Sequence, residues 1–543
     1  PPTPPPSSPP TPPPSSPPQA LFTFYENSNR IGASGEVDET MTVFSGPAIP
    51  GNLNNKISSF VLKSGYMVVV ADQASGLQPS KTYIADNGPL VVDILPVELD
   101  NSISFIRVIP WKQTGKKGVC GGDYTTNIVE VEAEWFYKWN KSVLLGKAST
   151  GPEYVPMCFG KGGTSDKNIL DYLEMTHVTH LLGFNEPDGK DQANTPNISE
   201  AVQLFSKLQA AGLRLGSPAC REEGAFGWLS EFMTEAMEAE IRVDYINVHW
   251  YDYGSNPGEN INPNPVAVAS RLRAYLSNVY AKYRLPIWIT EFNANKHRDR
   301  SIQDGFLQSI MPYLDDVAYV ERFAYYQWNE NMRFFDTEGS ITSTGTIYKN
   351  HISEIVDVSL DLPSPWLSAD IGTAAVGASL YNGHFTISGS GAGLSGTADG
   401  FRYVYQPLAG DVTITALITG QIYHNQLTMA GVMIRESLSR DSKQATMALS
   451  WSQGAKYRTR SSTGGTVSSA AVGGIPKYPY WVKLERVRDE VSGYVSPDGE
   501  SWTQVGPTIT IEMTGVGFVG LAVTSYNDGT YNDAIFKEVS VLV

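Results

Sequence analysis

His180-Leu-Leu-Gly-Phe-Asn-Glu-Pro-Asp188, HLLGFNEPD, carries an apolar run into Asn185 and the carboxylate of Glu186, and Pro187 then stops it. A short apolar run closed by proline reads as a buried strand. Seven more such runs flank it: KKGVCGG (116–122), VEAEWFYKW (131–139), YVPMCFG (154–160), RLGSPA (214–219), YINVHWY (245–251), IWITEFN (287–293) and RFAYYQW (322–328). Between them lie helical patterns such as ISEAVQLFSKLQAAG (198–212), apolar at i, i+3, i+4 and i+7 and closed by Gly212, and PVAVASRLRAYLSNVYAKY (265–283). Eight strands alternating with helices over 113–357 are the number and size of a (β/α)8 TIM barrel. An open doubly wound sheet is the alternative, but no glycine-rich phosphate fingerprint follows any run.

A barrel places its chemistry at the C-terminal ends of its strands. Here those ends read Asn185-Glu186, His249-Trp250-Tyr251, Glu291-Phe292-Asn293 and Tyr325-Tyr326-Gln327-Trp328. The fourth and seventh runs stand three apart around an eight-membered ring, so Glu186 and Glu291 can face one another across the mouth. Two facing carboxylates under aromatic walls suggest glycoside hydrolysis: one protonates the leaving oxygen, the other attacks the anomeric carbon or activates water. The Asn185 amide suits a sugar 2-hydroxyl. Each residue has a plainer reading. Glu186 can cap a helix or pair with Arg221, and His249 can be a core histidine bonded to backbone. Trp250 can pack the barrel, which favours Trp328, on a polar strand end, as the sugar platform. Trp135 and Trp139 share a helical i, i+4 spacing.

Asn185-Glu186-Pro187-Asp188, Thr290-Glu291-Phe292-Asn293, Tyr154-Val155-Pro156-Met157, Ser217-Pro218-Ala219 and His249-Trp250-Tyr251 together resemble the catalytic core of glycoside hydrolase family 128, a clan A family of β-1,3-glucanases with an Asl1-like catalytic domain. The resemblance spans 113–357, under half of the chain. It implies Glu186 as acid/base, Glu291 as nucleophile and Asn185 as the 2-hydroxyl partner, with His249, Trp250, Tyr251, Asn293, Tyr325 and Trp328 among the expected substrate contacts. The first two strand ends, Cys120-Gly121-Gly122-Asp123 and Trp135-Phe136-Tyr137-Lys138-Trp139, depart from the Asn- and Trp-rich pattern expected there.

Upstream, residues 1–19 are a Pro/Ser/Thr spacer, PPTPPPSS written twice, with neither apolar side chains for a core nor the backbone donors of a ladder. Residues 20–112 are strand-like and nearly repeat themselves: LNNKISSFVL (53–62) parallels LDNSISFIRV (99–108). Paired Greek keys follow from such a repeat. The segment resembles the βγ-crystallin family, whose calcium-binding members carry Asn/Asp-Asn/Asp-x-x-Ser/Thr-Ser in each unit. Asn54, Asn55, Ser58 and Ser59 complete that pattern, whereas Asp100, Asn101 and Ser104 are followed by Phe105 in place of the last serine. Amide, carboxylate and hydroxyl oxygens are the hard ligands of Ca²⁺, so structural calcium is expected here; Asx turns closing hairpins are the metal-free alternative.

Downstream, 358–543 is rich in Thr, Val and Gly, with alternating runs such as GDVTITALI (410–418), YWVKLERV (480–487) and TQVGPTITI (503–511), the pattern of a β-sandwich. Its run AGVMIRESLSRDSKQATMALS resembles the concanavalin-like jelly rolls appended to carbohydrate enzymes, with Trp451, Tyr457 and Tyr526 as candidate sugar-stacking residues and Asp370, Asn527 and Asp528 as a second candidate calcium site. The 543 residues hold 40 basic and 56 acidic side chains, a net charge of −16 with no basic patch, which argues against nucleic acid or anionic membrane as partner. No run of about 18 apolar residues occurs. Cys120, Cys158 and Cys220 fit neither a disulfide framework nor a zinc pattern and read as buried thiols. The expectation is a secreted, monomeric, modular retaining endo-β-1,3-glucanase needing no catalytic cofactor, its export signal upstream of the spacer. A clan A β-glycanase acting on mixed-linkage glucan, xylan or algal galactan, and a non-catalytic glycan-binding protein, are the alternatives.

Overall fold

The computed structural model describes residues 20–121, 128–141, 151–175, 178–472 and 478–543; the spacer at 1–19 and Asp123 lie outside them. The chain divides into one unit built on Pro1–Lys112 with Gln209–Gly212 and Glu240–Arg242, and a second built on the remaining residues to Val543.

The first unit holds two four-stranded antiparallel sheets. One runs in the order Ile31–Val37, Phe22–Asn27, Ser59–Leu62, Leu90–Val92, and the other Val43–Ser45, Phe105–Pro110, Tyr66–Ala71, Ser80–Ala85. The third strand of each sequence repeat thus completes the sheet of the other repeat. Phe22, Phe24, Phe60, Val68, Ile106 and Val108, on the inward positions of these strands, fill the space between. The two repeat loops mirror each other. Asn55 and Asn101 both adopt the left-handed conformation, at φ 57° and 58°, and each donates its backbone N–H to the opposite loop, Asn55 to Ile103 O at 3.0 Å and Asn101 to Ile57 O at 2.9 Å. Asparagine accepts this backbone more readily than other side-chain-bearing residues.

In the second unit, eight strands follow the runs read from the sequence: β1 (Lys117–Cys120), β2 (Trp135–Tyr137), β3 (Glu153–Tyr154), β4 (His180–Leu181), β5 (Arg214–Leu215), β6 (Ile246–Trp250), β7 (Ile287–Phe292) and β8 (Val320–Tyr325). Six of them, β3-β2-β1-β8-β7-β6, form one parallel sheet, and β4 pairs β5 in parallel. The parallel bridge Asn185↔Ala219 extends the β4–β5 pair, and the bridges Met157↔Leu182, Gly216↔Tyr245 and Cys220↔Val248, also parallel, join the two sheets into a closed ring. Gly118 is required inside it, because a Cβ there would fall 2.3 Å from the Trp135 indole. Trp135, Tyr137, Tyr245, Trp288 and Ala324 fill the interior. Towards the strand starts they rest on buried charges: Arg214 pairs with Glu321, and Arg322 with Glu153.

Each of β3 to β8 is followed by an α-helix: α1 (Asp166–Glu174), α2 (Ile198–Ser206), α3 (Trp228–Glu238), α4 (Pro265–Tyr283), α5 (Arg300–Asp316) and α6 (Ser343–Asn350). Side-chain caps start four of them, Ser165, Asn197, Asn264 and Thr342. The helix expected over 198–212 is α-helical only to Ser206, then tightens into a 3-10 turn, Lys207–Ala211, before Gly212 at φ 57° ends it. The helical spacing of Trp135 and Trp139 is not used: Trp135 lies on β2 and Trp139 follows its end.

Residues 367–542 form two packed sheets of eight strands each. Ile414, Val432, Met447, Leu484, Leu521 and Phe536 meet in their core. The run read as one strand over 503–511 splits into Thr503–Gln504 and Ile509–Thr510, because Pro507 between them has no N–H for the ladder. Tyr457 is buried, with its hydroxyl donated to Val491 O, so it packs the core and offers no face to a sugar. Asp370 is occupied by Arg402 at 2.9 Å. Tyr319 on the ring donates to Asp533 of the sandwich at 2.6 Å, and Lys537 pairs with Asp316 at 2.6 Å. All three cysteines are free and buried.

Candidate active site

At the end of β4 the backbone turns through Glu186 in the left-handed region, φ 42°, held by its N–H donating to Ala219 O at 2.7 Å. Such a backbone costs a non-glycine residue about 1–3 kcal/mol and persists where the surroundings enforce it. It turns the carboxylate into a cleft of about 840 Å³ lined by Trp139, Asn185, Arg221, Tyr251, Glu291 and Trp328, among others.

Glu291 reaches the same cleft through a register shift. Between β6 and β7, Val248 pairs with Ile289 but His249 pairs with Glu291, so Thr290 is an extra residue on β7. Strand side chains alternate faces, and one added residue re-aims everything after it. Trp288 lies in the ring interior two residues before Thr290. The bulge lets Glu291 also face inward, while Phe292 turns outward onto Phe306 of α5.

The two carboxylates are almost fully enclosed, Glu186 at 8% and Glu291 at 6% exposure. One oxygen of each and a ring nitrogen of His249 all lie within 4.8 Å of one another. Glu186 Oε1 faces His249 Nδ1 at 3.0 Å, and Oε2 accepts from Arg221 Nε at 2.8 Å. Burial alone would raise the proton affinity of Glu186, but the bonds and charges of His249 and Arg221 outweigh it and bring its pKa to about 2. Glu291 Oε1 accepts from Trp139 Nε1 at 2.8 Å and Tyr137 OH at 3.3 Å, and Oε2 accepts from the Tyr251 hydroxyl. His249 stands between the acids, its Nε2 3.6 Å from Glu291 Oε1. Its burial opposes a charge, yet the two glutamates override that and raise its pKa above the ordinary histidine value. Asn185 donates through Nδ2 to Gln192 at 3.2 Å, and its buried Oδ1 has no protein partner, leaving an acceptor for a ligand hydroxyl.

Not every expected contact lies on the cleft. Trp250, next to the bulge, points away and stacks on Phe306 at 5.8 Å with 1% exposure, so it is core and not a sugar platform. Tyr325 is also core, stacked on Phe334 and donating to Gln303 at 3.2 Å; its neighbour Tyr326, one position along the alternation, lines the cleft instead. Asn293 is buried and braces the rim, donating to Tyr326 O at 2.9 Å and accepting from Asn295 N at 2.8 Å. Trp328 is 52% exposed at the cleft edge, with Lys296 Nζ 4.8 Å from its ring centroid. Among the described residues, Tyr137, Trp139, Phe159 and Tyr326 join the site without having been singled out as contacts.

In the first unit, the Ser104 hydroxyl donates to Asn55 Oδ1, linking the two repeat loops, and Asn54 Oδ1 is buried without a partner. These oxygens have the hard chemistry of a calcium donor set. Ser58 is buried beside them, while the Ser59 hydroxyl bonds backbone, Asn27 O at 2.6 Å and Arg30 N at 2.9 Å. Asn101 and Asp100 bond each other at 3.2 Å on the second loop.

Residues 117–348 match the family model described as Glycosyl hydrolase catalytic core. Alkali-sensitive linkage protein 1 of Schizosaccharomyces pombe is 27% identical over 259 residues, 43% of this chain and 44% of that protein, so the match spans less than half of that relative. Among solved structures, a family 128 (subgroup I) endo-β-1,3-glucanase from Amycolatopsis mediterranei in complex with laminaritriose is 30% identical, covering 43% of this chain and 99% of that one with a TM-score of 0.38. A subgroup II endo-β-1,3-glucanase from Sorangium cellulosum is 24% identical over 44% of this chain and 99% of that one, TM-score 0.37. Through residues 117–348, which carry this catalytic core, the chain is a glycoside hydrolase.

Proposed function

We propose that the protein is a secreted, retaining endo-β-1,3-glucanase of family 128, its catalytic segment a (β/α)8 barrel. The observation that carries the mechanism is the approach of Glu186 and Glu291 oxygens to within 4.8 Å. Retaining glycosidases hold their carboxyl groups about 5–5.5 Å apart, whereas inverting ones need about 6.5–9.5 Å to admit a water. Glu291, gripped by three donors, attacks the anomeric carbon as Glu186 protonates the departing glycosidic oxygen, forming a glycosyl ester on Glu291. Glu186 then takes a proton from water, which attacks the same carbon and releases Glu291. Asn185 Oδ1 is placed to accept from the sugar 2-hydroxyl, a bond that strengthens as positive charge develops on the ring. Tyr326, Trp139 and the exposed Trp328 supply flat apolar faces for pyranose rings.

The β-1,3 linkage rests on the resemblance of the motifs at 185–188, 290–293 and 249–251, since aromatic walls accept sugar faces in general. Reducing-sugar release from linear β-1,3-glucan, mixed-linkage glucan, cellulose, xylan and agar tests it: release chiefly from the first supports the reading, and release from another overturns the substrate. Glu291→Gln keeps the side-chain shape and loses the nucleophile. Turnover should collapse while glucan binding persists; unchanged activity would refute the assignment. We also read residues 20–112 as a βγ-crystallin-like module that takes calcium on its first loop, through Asn54, Asn55 and the facing Ser104, and 358–543 as a carbohydrate-binding jelly roll.

A further inference from the structure

Both oxygens of Glu186 are occupied by nitrogen groups, His249 on Oε1 and Arg221 on Oε2. An acid must carry a proton on one oxygen and aim it at the leaving group, so one of these partners has to let go. His249 is fully buried and fixed between two glutamates. Arg221 is different. Its side chain is 46% exposed on the cleft wall, and its second contact, Nη2 to Asp191 Oδ1 at 2.5 Å, is to an acid that is itself 69% exposed. Its backbone is anchored separately, donating to the Asp188 carboxylate at 3.3 and 3.2 Å. The seat is shaped for it: a Cβ on Gly189 would fall 2.8 Å from Arg221 Nη2 and 2.9 Å from Cζ.

Building on the reading of Glu186 as acid/base, we propose that Arg221 is a positioning residue that clamps this carboxylate before substrate binds, and that an incoming glycan displaces it onto Asp191 and so frees Glu186 to carry its proton. The clamp keeps the acid oriented between turnovers. It also favours the ionised form that the second, water-activating half of the reaction requires. The other groups facing Glu186 do not offer this movement: Glu291 from β7 and Asp188 from its own loop repel it, and the Tyr253 and Tyr326 hydroxyls are neutral.

The test compares wild type with Arg221→Met and Arg221→Lys. The pH dependence of kcat/KM reports the free enzyme, and that of kcat the complex. With linear β-1,3-glucan, the alkaline limb of wild-type kcat/KM should lie below that of kcat. R221M should lift the former by about one pH unit or more, and R221K, which keeps the charge without the two-pronged reach, by less. A loss of rate with both limbs unmoved would show a merely structural role and overturn the proposal. A second readout needs no turnover: a water-soluble carbodiimide labels protonated carboxyls, and peptide mass spectrometry of the full chain reads Glu186. R221M should be labelled about tenfold faster than wild type at pH 5, the ratio that one unit of proton affinity gives; equal rates would overturn the clamp. A chain that releases nothing from β-1,3-glucan refutes the assigned substrate, and labelling still decides the clamp.

Discussion

Replacing Arg214 by Met should unsettle the catalytic ring from beneath. Arg214 on β5 donates two parallel bonds to Glu321 at the start of β8, at 2.7 and 2.8 Å, with the two side chains 7% and 2% exposed. Methionine fills much of the arginine stem's volume but leaves the Glu321 charge with Trp288 Nε1, at 2.9 Å, as its remaining strong donor. Removing one partner of a buried pair typically costs about 3–5 kcal/mol, because the other charge stays desolvated. At about 2–4 °C per kcal/mol for a segment of this size, the ring should melt roughly 6–20 °C lower. Calorimetry measures the shift, and peptide-level hydrogen exchange over β5 and β8 places it on the ring. The pH dependence has a definite sign. Burial pushes the Glu321 carboxyl up, but Arg214 and Trp288 outweigh it and hold it below the ordinary range. A depressed carboxylate contributes stability above its unfolded pKa of about 4.3 and loses it as pH falls, so the gap between wild type and R214M should narrow below that point. R214M combined with Glu321→Gln, which keeps an acceptor for Trp288 and removes the stranded charge, should recover most of the loss. A drop under about 3 °C, or no recovery in the double variant, would refute the cross-brace.

Two further outcomes separate site from scaffold. Trp328→Ala should raise KM on β-1,3-glucan with little change in melting, whereas Trp250→Ala should destabilise by about 3–5 kcal/mol through a core cavity; the reverse pattern would mean the alternation on β6 and β8 is misassigned. Calcium should raise, and a chelator lower, the melting of the unit built on residues 20–112, and Asn54→Ala should flatten the difference; a melting point indifferent to both would leave the two loops as metal-free Asx turns.

The eight runs, their order and the two glutamates were legible because each rests on a local signal: an apolar stretch, a proline stop, a polar strand end. Which face a terminal residue takes was not legible to the same degree. Trp250 and Tyr325 sit one step from His249, Tyr251 and Tyr326, and a pleat that alternates faces makes neighbours opposites. Periodicity counted along β7 from Trp288 even sends Glu291 outward; only the pairing with β6 reveals the added Thr290. Trp139 and Tyr137 escaped for another reason. Their indole and phenol donors meet Glu291 across more than 150 positions of chain, a partnership that no local pattern encodes. The pairing of Arg221 with Glu186 was visible as the plain alternative to catalysis, and the structure makes that pairing at 2.8 Å.

The bulge at Thr290 makes the aim of Glu291 a matter of strand pairing as much as of chemistry. Straightening β7 so that Thr290 took the pairing with His249 would preserve every side chain named in the mechanism, yet would turn Glu291 towards α5 and swing Phe292 into the cleft. Deleting Thr290 would instead keep Glu291 inward, next in alternation after Ile289, and would remove the carbonyl that accepts the Tyr137 hydroxyl at 3.1 Å. For any attempt to recombine or shuffle this scaffold, β7 and the β6 edge that holds its bulge should therefore be inherited together: offspring in which this pairing straightens would fold and would not catalyse.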